Sequence, residues 1–111
     1  REKTVVDIEN VKEAVEKALS DVRDAIYNRA LENRKNRTVD CETLEKFVET
    51  AKSEDGFIRA MWCGDRECEE KLKEVAGITS RCIPFDQHEI GDTCVCCGKK
   101  ADKLLYWGKA Y

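Results

Sequence analysis

The sequence predicts an α+β fold, with two N-terminal helices followed by a small mixed sheet and a packed helix, arranged as a two-layer sandwich with a four-cysteine zinc site. Three observations lead to this prediction. Apolar residues recur at steps of three and four early in the chain, short runs typical of strands follow residue 56, and most of the seven cysteines lie in the second half. We expect one domain over residues 1–111, with a helical part at 1–55 and a zinc-binding α/β part at 56–111.

Composition excludes several classes of protein. The chain has 111 residues, a net charge of −3 and a pI near 5.3, whereas domains that coat nucleic acids are usually basic, so no DNA partner is expected. No apolar run approaches the roughly 20 residues that span a bilayer, and no signal-peptide pattern is present, so no membrane association is expected either. The missing initiator Met suggests a piece of a longer polypeptide.

The first element is predicted as one long amphipathic helix over the first 35 residues, with Asp7 as its N-cap. Its apolar residues fall on one stripe, which we expect to pack on the helix's own domain or on a preceding domain. A partner helix or a coiled coil is the alternative. The stripe consists of Ile8, Val11, Val15, Ala18, Leu19, Val22, Ile26 and Ala30.

A second helix is predicted to begin after Asp40, whose side chain would cap it, while Val39 and Leu44 would form a hydrophobic staple. The stretch 53–56 ends this helix, because Gly56 can adopt the positive φ of a turn. Its buried face would consist of Leu44, Phe47, Val48 and Ala51.

The pattern changes to strands after residue 56. Residues 57–62 and 78–83 are short runs rich in aromatic or β-branched side chains, and Pro84 halts the second of them. Residues 86–93 are predicted as a polar loop. Residues 103–107 supply a final strand close to the end of the sequence.

A third helix is predicted between the first two of these strands. It starts near Asp65, a residue type that caps helices, and stops at Gly77. Its inward-facing side chains would be Leu72, Val75 and Ala76.

The cysteines are expected to bind a metal, because their number is odd and nothing indicates export to an oxidising compartment. Two of them bracket the turn before the third helix, and two more form a C-x-x-C step followed by Gly98. Two pairs from separated segments match the tetrahedral geometry of structural zinc, which leaves no open position for a substrate. The expected Zn²⁺ ligands are Cys63, Cys68, Cys94 and Cys97.

Cys96 leaves this choice open, because residues 94–97 offer three thiols in four positions. The C-x-x-C spacing fits a metal knuckle better than C-x-C does, and free thiols or disulfides are the alternatives to zinc. Three nearby cations would offset the charge of a tetrathiolate centre, namely Arg66, Lys99 and Lys100.

The other reactive side chains receive structural interpretations. Cys82 is expected to pack in a strand, and Cys41 to lie in the first turn of the second helix. His88, the single histidine, lies in a polar loop with no neighbouring acid–nucleophile pair, so neither a catalytic nor a ligand role is favoured. No phosphate-binding loop, nucleophile elbow or H-E-x-x-H motif occurs, and no catalytic residue is predicted in this chain.

From residue 56 onward the sequence resembles the C-terminal domain of prolyl-tRNA synthetases of the archaeal/eukaryotic type. The preceding helices resemble that family more loosely, through residues 26–30 and the pattern of the second helix. The resemblance also implies that the zinc ligands are the four cysteines named above. It rests on the order and spacing of residues 56–64, 68–73, 79–85, 94–98 and 108–111.

The resemblance implies a class II synthetase that joins proline to tRNA(Pro) through a prolyl-adenylate made with ATP and Mg²⁺. Such enzymes are cytoplasmic homodimers, and their catalytic and anticodon-binding domains would lie upstream of Arg1. ATP and Mg²⁺ would be bound there, and this chain alone would not be catalytic. In similar synthetases the polypeptide ends in a tyrosine whose carboxylate reaches toward the active site, and Tyr111 would hold that place.

Two functions of other classes are kept as alternatives. A free-standing zinc-dependent RNA-binding module would bind tRNA in a salt-dependent way, although the acidic balance and the lack of a basic–aromatic stripe count against it. A protein-interaction domain that uses the long helix would expose an apolar stripe and self-associate.

Overall fold

The computed structural model describes residues 2–53 and 55–109. Contacts divide the chain into two compact units, Arg1–Lys35 and Asn36–Tyr111. The sequence was instead interpreted as one domain with an internal division after residue 55. The second predicted helix lies in the unit that contains the sheet.

The main element of the first unit is one helix, α1 (Val11–Asn36), preceded by a 3₁₀ turn at Ile8–Asn10. The prediction of a helix over the first 35 residues is wrong for residues 2–7, which are not helical. Asp7 precedes the 3₁₀ turn with extended backbone, and its side chain makes no capping hydrogen bond. Its carbonyl oxygen instead accepts from the N–H of Asn10 at 2.9 Å, which closes the turn.

The apolar stripe of α1 is exposed, so of the two expected packing surfaces its own domain does not cover it, while packing on a preceding domain stays a prediction. No residue of α1 is buried, and the exposed fractions of Val15, Leu19 and Ile26 are 52%, 66% and 63%. Periodicity shows which side of a helix is apolar but not what covers it. Among the described residues, no helix is long and apolar enough to cross a membrane.

The second unit is built on a four-stranded mixed sheet with the order β1-β2-β4-β3. β1 runs parallel to β2, and β4 lies antiparallel to both β2 and β3. Three of these strands were predicted, whereas β1, with only three residues, was not. The strands are β1 (Thr38–Asp40), β2 (Phe57–Trp62), β3 (Ile78–Cys82) and β4 (Lys103–Lys109).

Helices α2 (Leu44–Ser53) and α3 (Arg66–Ala76) cover one face of this sheet and contact each other. The core between the layers centres on Trp107, whose ring meets that of Phe47 edge-on at a centroid distance of 5.8 Å. Both side chains are fully buried, and aromatic pairs of this geometry stabilise a core beyond their area alone. The two-layer arrangement follows the prediction.

The start of α2 differs from the prediction. Thr43 caps this helix, because its Oγ1 accepts from the N–H of Lys46 at 3.3 Å. Asp40 lies in β1 and forms a bidentate ion pair with Arg59 of β2, with both N–O distances at 2.6 Å. The predicted cap is therefore wrong, because a cross-strand cation holds this carboxylate. Cys41 precedes the helix and is fully buried.

Both ends of α3 agree with the prediction. The Asp65 side chain accepts from the N–H of Glu67 at 3.0 Å, and Gly77 ends the helix with a φ of 65°. Leu72 is fully buried, but Val75, which was expected to point inward, is 48% exposed.

A second apolar cluster lies on the other face of the sheet at one end of β2 and β4. It contains Met61, Cys68, Cys94, Ala101 and Leu104. The Gln87 amide holds the loop after β3 against this region, since it donates to Leu104 O at 3.2 Å and accepts from Leu104 N at 2.8 Å. Two buried members of this cluster are cysteines, so the candidate metal site adjoins a packed core.

Candidate metal centre

The structure brings the four predicted cysteines together. Their Sγ atoms all lie within 4.8 Å of one another, and Cys63 Sγ is 3.8 Å from both Cys68 Sγ and Cys97 Sγ. Cys63 follows the end of β2, and Cys68 lies in the first turn of α3. Cys94 and Cys97 belong to a tight turn between β3 and β4.

These distances fit one tetrahedral metal ion and no disulfide. Thiolates about 2.3 Å from a central ion stand about 3.8 Å apart at the corners of a tetrahedron. A disulfide would require sulfurs at about 2.05 Å, and all seven cysteines are free. Four soft sulfur donors in this arrangement can hold a metal of the zinc type.

Both ligand loops use the same local structure, a cysteine followed by a left-handed glycine. Gly64 and Gly98 have φ values of 89° and 70°. Each glycine turns the next backbone N–H toward sulfur, so that Asp65 N–H donates to Cys63 and Lys99 N–H donates to Cys97. Amide donors of this kind stabilise thiolate charge and fix the orientation of metal ligands.

The turn that carries Cys94 is anchored directly to the sheet. Val95 N donates to Met61 O at 3.0 Å, while Cys94 N donates to Lys99 O at 2.7 Å and Gly98 N to Cys94 O at 2.9 Å. These bonds place the C-x-x-C step beside the end of β2, which Cys63 directly follows. Cys96 belongs to the same turn but not to the four-sulfur group, and it packs against both apolar clusters.

The thiols differ in acidity when no metal is bound. Burial raises the pKa of Cys63 and of Cys68 above the ordinary thiol value. The backbone N–H of Lys99 lowers the pKa of Cys97 to about 7. A metal ion that binds these thiols therefore has to displace their protons, and its apparent affinity rises with pH.

Sequence reasoning missed one cation beside the site, Lys103. Its Nζ is 3.4 Å from the position of a Cβ built on Gly64. Arg66, expected to offset the thiolate charge, forms an ion pair with Glu70 at 3.1 Å, and the same expectation for Lys99 and Lys100 stays a prediction. Lys103 reaches this position because it pairs in the sheet with Trp62, the residue before Cys63. The spacing of residues in the sequence does not reveal this strand register.

The remaining candidate residues lie elsewhere. His88 Nε2 is 3.1 Å from Nη1 of Arg59, and His88 is not part of the four-sulfur group. Cys82 ends β3 as an exposed thiol, so the expectation that it packs in the strand is wrong. Cys41 contacts Thr50, with Sγ and Oγ1 at 3.6 Å, and burial raises its pKa. Tyr111, proposed to act through its carboxylate, lies outside the described residues.

The arrangement can serve as a structural centre. Four protein ligands fill a tetrahedral ion, so no coordination position is left to activate water or a carbonyl group. A bound ion would join the end of β2, the start of α3 and the turn before β4. Each of these segments belongs to the second apolar cluster or borders it.

Comparisons with known proteins point to one family. The family described as "Prolyl-tRNA synthetase, C-terminal" matches residues 44–111. The proline–tRNA ligase of Clostridium botulinum (strain ATCC 19397 / Type A) is 47% identical over 111 residues, covering 100% of this chain and 23% of that protein. The corresponding ligases of Clostridium novyi (strain NT) and Lachnoclostridium phytofermentans are 48% and 45% identical with the same coverage. The chain thus spans less than a quarter of the length of these relatives.

Solved structures give the same result. The crystal structure of prolyl-tRNA synthetase from Cryptosporidium parvum complexed with L-proline and AMP has a TM-score of 0.87 at 26% identity, covering 99% of this chain and 24% of that one. A structure of the same synthetase with halofuginone and AMPPNP has a TM-score of 0.88. The likeness confirms the predicted α+β fold.

The glycine in the second ligand loop can be tested without reference to any metal. We expect Gly98→Ala to lower the free energy of unfolding by about 1 kcal/mol, because a side chain is strained at a φ of 70°. No heavy atom lies within 4 Å of the added Cβ, so the effect comes from the backbone alone. Denaturant unfolding of metal-free, reduced protein measures it.

Gly91→Ala is the matched control for this substitution. Its added Cβ would meet only Glu42 Cγ at 3.8 Å, and its backbone is not left-handed. We expect no loss of stability for this variant, and equal losses for the two would contradict the assignment of strain to Gly98.

Proposed function

The chain belongs to the family of prolyl-tRNA synthetase C-terminal domains, and from this premise we propose that it is the structural, zinc-binding domain of a proline–tRNA ligase. That enzyme activates proline with ATP and transfers it to tRNA(Pro). The observation that carries the proposal is the 47% identity of the whole chain to proline–tRNA ligases. The Cryptosporidium parvum synthetase, which was solved with L-proline and AMP, supports the same assignment.

The proposed cofactor of this domain is one Zn²⁺ ion, held by Cys63, Cys68, Cys94 and Cys97. The Sγ separations of 3.8 Å and the amide donors at both ligand loops support this assignment. When bound, the ion cross-links the segment between β2 and α3 to the turn before β4, in addition to the hydrogen bond from Val95 N to Met61 O and the second apolar cluster. In isolated zinc fingers such a site supplies on the order of 10 kcal/mol of apparent binding energy, and the larger core here lessens that dependence.

The catalytic work is assigned to the part of the ligase outside this chain. ATP, Mg²⁺ and proline bind there, and the anticodon of tRNA(Pro) is read there. The parent enzyme is proposed to be a cytoplasmic homodimer. This assignment rests on the family, since the chain covers only 23% of its relatives.

The exposed stripe of α1 gives the domain a surface for those other parts of the ligase. Val15, Leu19, Val22 and Ile26 are each more than half exposed along one side of the helix. An unburied stripe of this length favours a partner surface over a solvated helix. The relatives align with α1 as well as with the sheet and are about four times longer, so a partner surface within the same polypeptide is available.

Metal analysis tests the zinc assignment. We expect protein purified under reducing conditions to carry one zinc ion per chain in native mass spectrometry. Cys63→Ser and Cys97→Ser remove a thiolate ligand, so both variants should lose the ion and unfold at lower temperature. Metal-free wild-type protein at micromolar zinc would contradict the assignment.

Two other cysteines provide matched controls for this experiment. Cys82→Ser changes an exposed thiol outside the group, and Cys96→Ser changes a thiol in the same turn as Cys97. Both variants should retain the full zinc content. Zinc loss in Cys96→Ser but not in Cys97→Ser would replace Cys97 by Cys96 as the ligand.

The role of the α1 stripe is tested by adding a charge. In the full-length ligase, Leu19→Glu should lower the melting temperature by several degrees, because burying a leucine contributes about 1.5–3 kcal/mol. In the isolated chain the same change should have no such effect, since Leu19 is 66% exposed. Asn28→Glu adds the same charge on the polar side and serves as the control. An unchanged melting temperature of the full-length Leu19→Glu enzyme would argue against the interface.

The proposed role of Tyr111 is tested in the full-length enzyme. A stop codon in place of Tyr111 should lower aminoacylation of tRNA(Pro) by about tenfold or more, because it withdraws a group placed near the reacting atoms. Tyr111→Phe keeps the backbone and any terminal carboxylate, so its activity should stay near that of the wild type. An undiminished rate in the truncated enzyme would refute the role.

A further inference from the structure

Arg81 occupies a β-bulge between β3 and β4. Ser80 pairs with Trp107 and Cys82 pairs with Tyr106, so Arg81 is an extra residue on its strand. A bulge of this kind re-aims the side chain of the extra residue. Here it directs a long cationic side chain across the neighbouring strand toward the end of β4.

The guanidinium group of Arg81 holds the last described residues of β4. Its Nη2 donates to Lys109 O at 2.7 Å and to Gly108 O at 3.3 Å. Both acceptors are backbone carbonyl oxygens, so the contact holds the backbone at the end of β4 and does not depend on the side chains there. Within the ranges 2–53 and 55–109, Arg81 forms no ion pair with a carboxylate.

Gly108 is the counterpart of this contact. A Cβ at this position would come within 3.1 Å of Arg81 Nε and 3.4 Å of both Arg81 Cγ and Phe57 Cδ1. Phe57 also contacts Tyr106 edge-on, at a centroid distance of 6.3 Å. The absence of a side chain at Gly108 therefore lets Arg81 lie across the strand.

We propose that Arg81 is a positioning residue, which fixes the end of β4 at Gly108 and Lys109 and through this strand end supports the function proposed for Tyr111. The proposal rests on the function proposed above for Tyr111. The side chain of Arg81 is exposed, so water competes for its two hydrogen bonds and their net contribution to the stability of the unit is small. Their effect is on the geometry of the strand end.

The contact can be disturbed from either side in the full-length ligase. Arg81→Ala removes the guanidinium group that donates these hydrogen bonds. Gly108→Ala keeps the guanidinium group, but the added methyl group displaces the Arg81 side chain. Arg66→Ala is the matched control, because Arg66 is an exposed arginine of the same unit whose side chain pairs with Glu70 and not with β4. The readouts are proline-dependent ATP–pyrophosphate exchange, melting temperature, and hydrogen–deuterium exchange of the peptide that covers residues 106–111.

We expect Arg81→Ala and Gly108→Ala to speed exchange in that peptide and to lower kcat, on the order of threefold to tenfold, with the melting temperature unchanged. Arg81→Lys retains a donor at this position and should restore part of the loss. Combined with the stop codon at position 111, Arg81→Ala should cause no further loss, because its effect acts through Tyr111.

Two results would overturn the inference, and they are distinguishable. If truncation at Tyr111 lowers activity but Arg81→Ala behaves like Arg66→Ala, the role of Tyr111 stands and the role of Arg81 falls. If truncation has no effect, the proposed role of Tyr111 fails as well. A loss for Arg81→Ala that adds in full to that of the truncation would also refute positioning through Tyr111.

Discussion

The second unit depends on the convergence of four sulfur atoms that come from two segments far apart in sequence. To meet within 4.8 Å, the end of β2 and the turn before β4 have to lie side by side. The hydrogen bond from Val95 N to Met61 O contributes to this alignment. The buried side chains of Met61 and Leu104 belong to the apolar cluster that adjoins it. Backbone hydrogen bonds and packing thus bring the four cysteines together, and the two left-handed glycines turn amides toward sulfur.

Local signals in the sequence were sufficient for some elements and not for others. α3 was predicted at both ends because its cap, Asp65, and its terminator, Gly77, act within a few residues of the helix. Asp40 has the same capping chemistry, yet Arg59, which is distant in sequence, takes its carboxylate. β1 was missed because three residues carry no readable periodicity and their pairing partner lies beyond a helix. The sequence specifies local preferences, and long-range partners decide between them.

The metal-site cysteines were predictable for a similar reason. Cys94 and Cys97 are three residues apart, so this pair of candidate ligands could be predicted from the sequence before the fold was known. The position of Lys103 beside Gly64 depends on the register of two strands, and the sequence offers no signal for it. The stripe of α1 is the opposite case, in which the apolar periodicity was predicted correctly but no residue of the helix is buried.

β4 connects the two ends of the unit. Its first residue, Lys103, lies beside the ligand loop, and its last, Lys109, is held by Arg81. Seven residues of strand span about 20 Å, so a metal ion at one end cannot touch a group that follows the other. It can act there only by keeping the strand straight and in register. Buried Leu105 and Trp107 make β4 suited to this task, because a central strand packed on a helical layer cannot shift by a fraction of a residue. The proposed metal and the proposed positioning by Arg81 are therefore compatible, because the rigidity of a single strand links the two ends at which they would act.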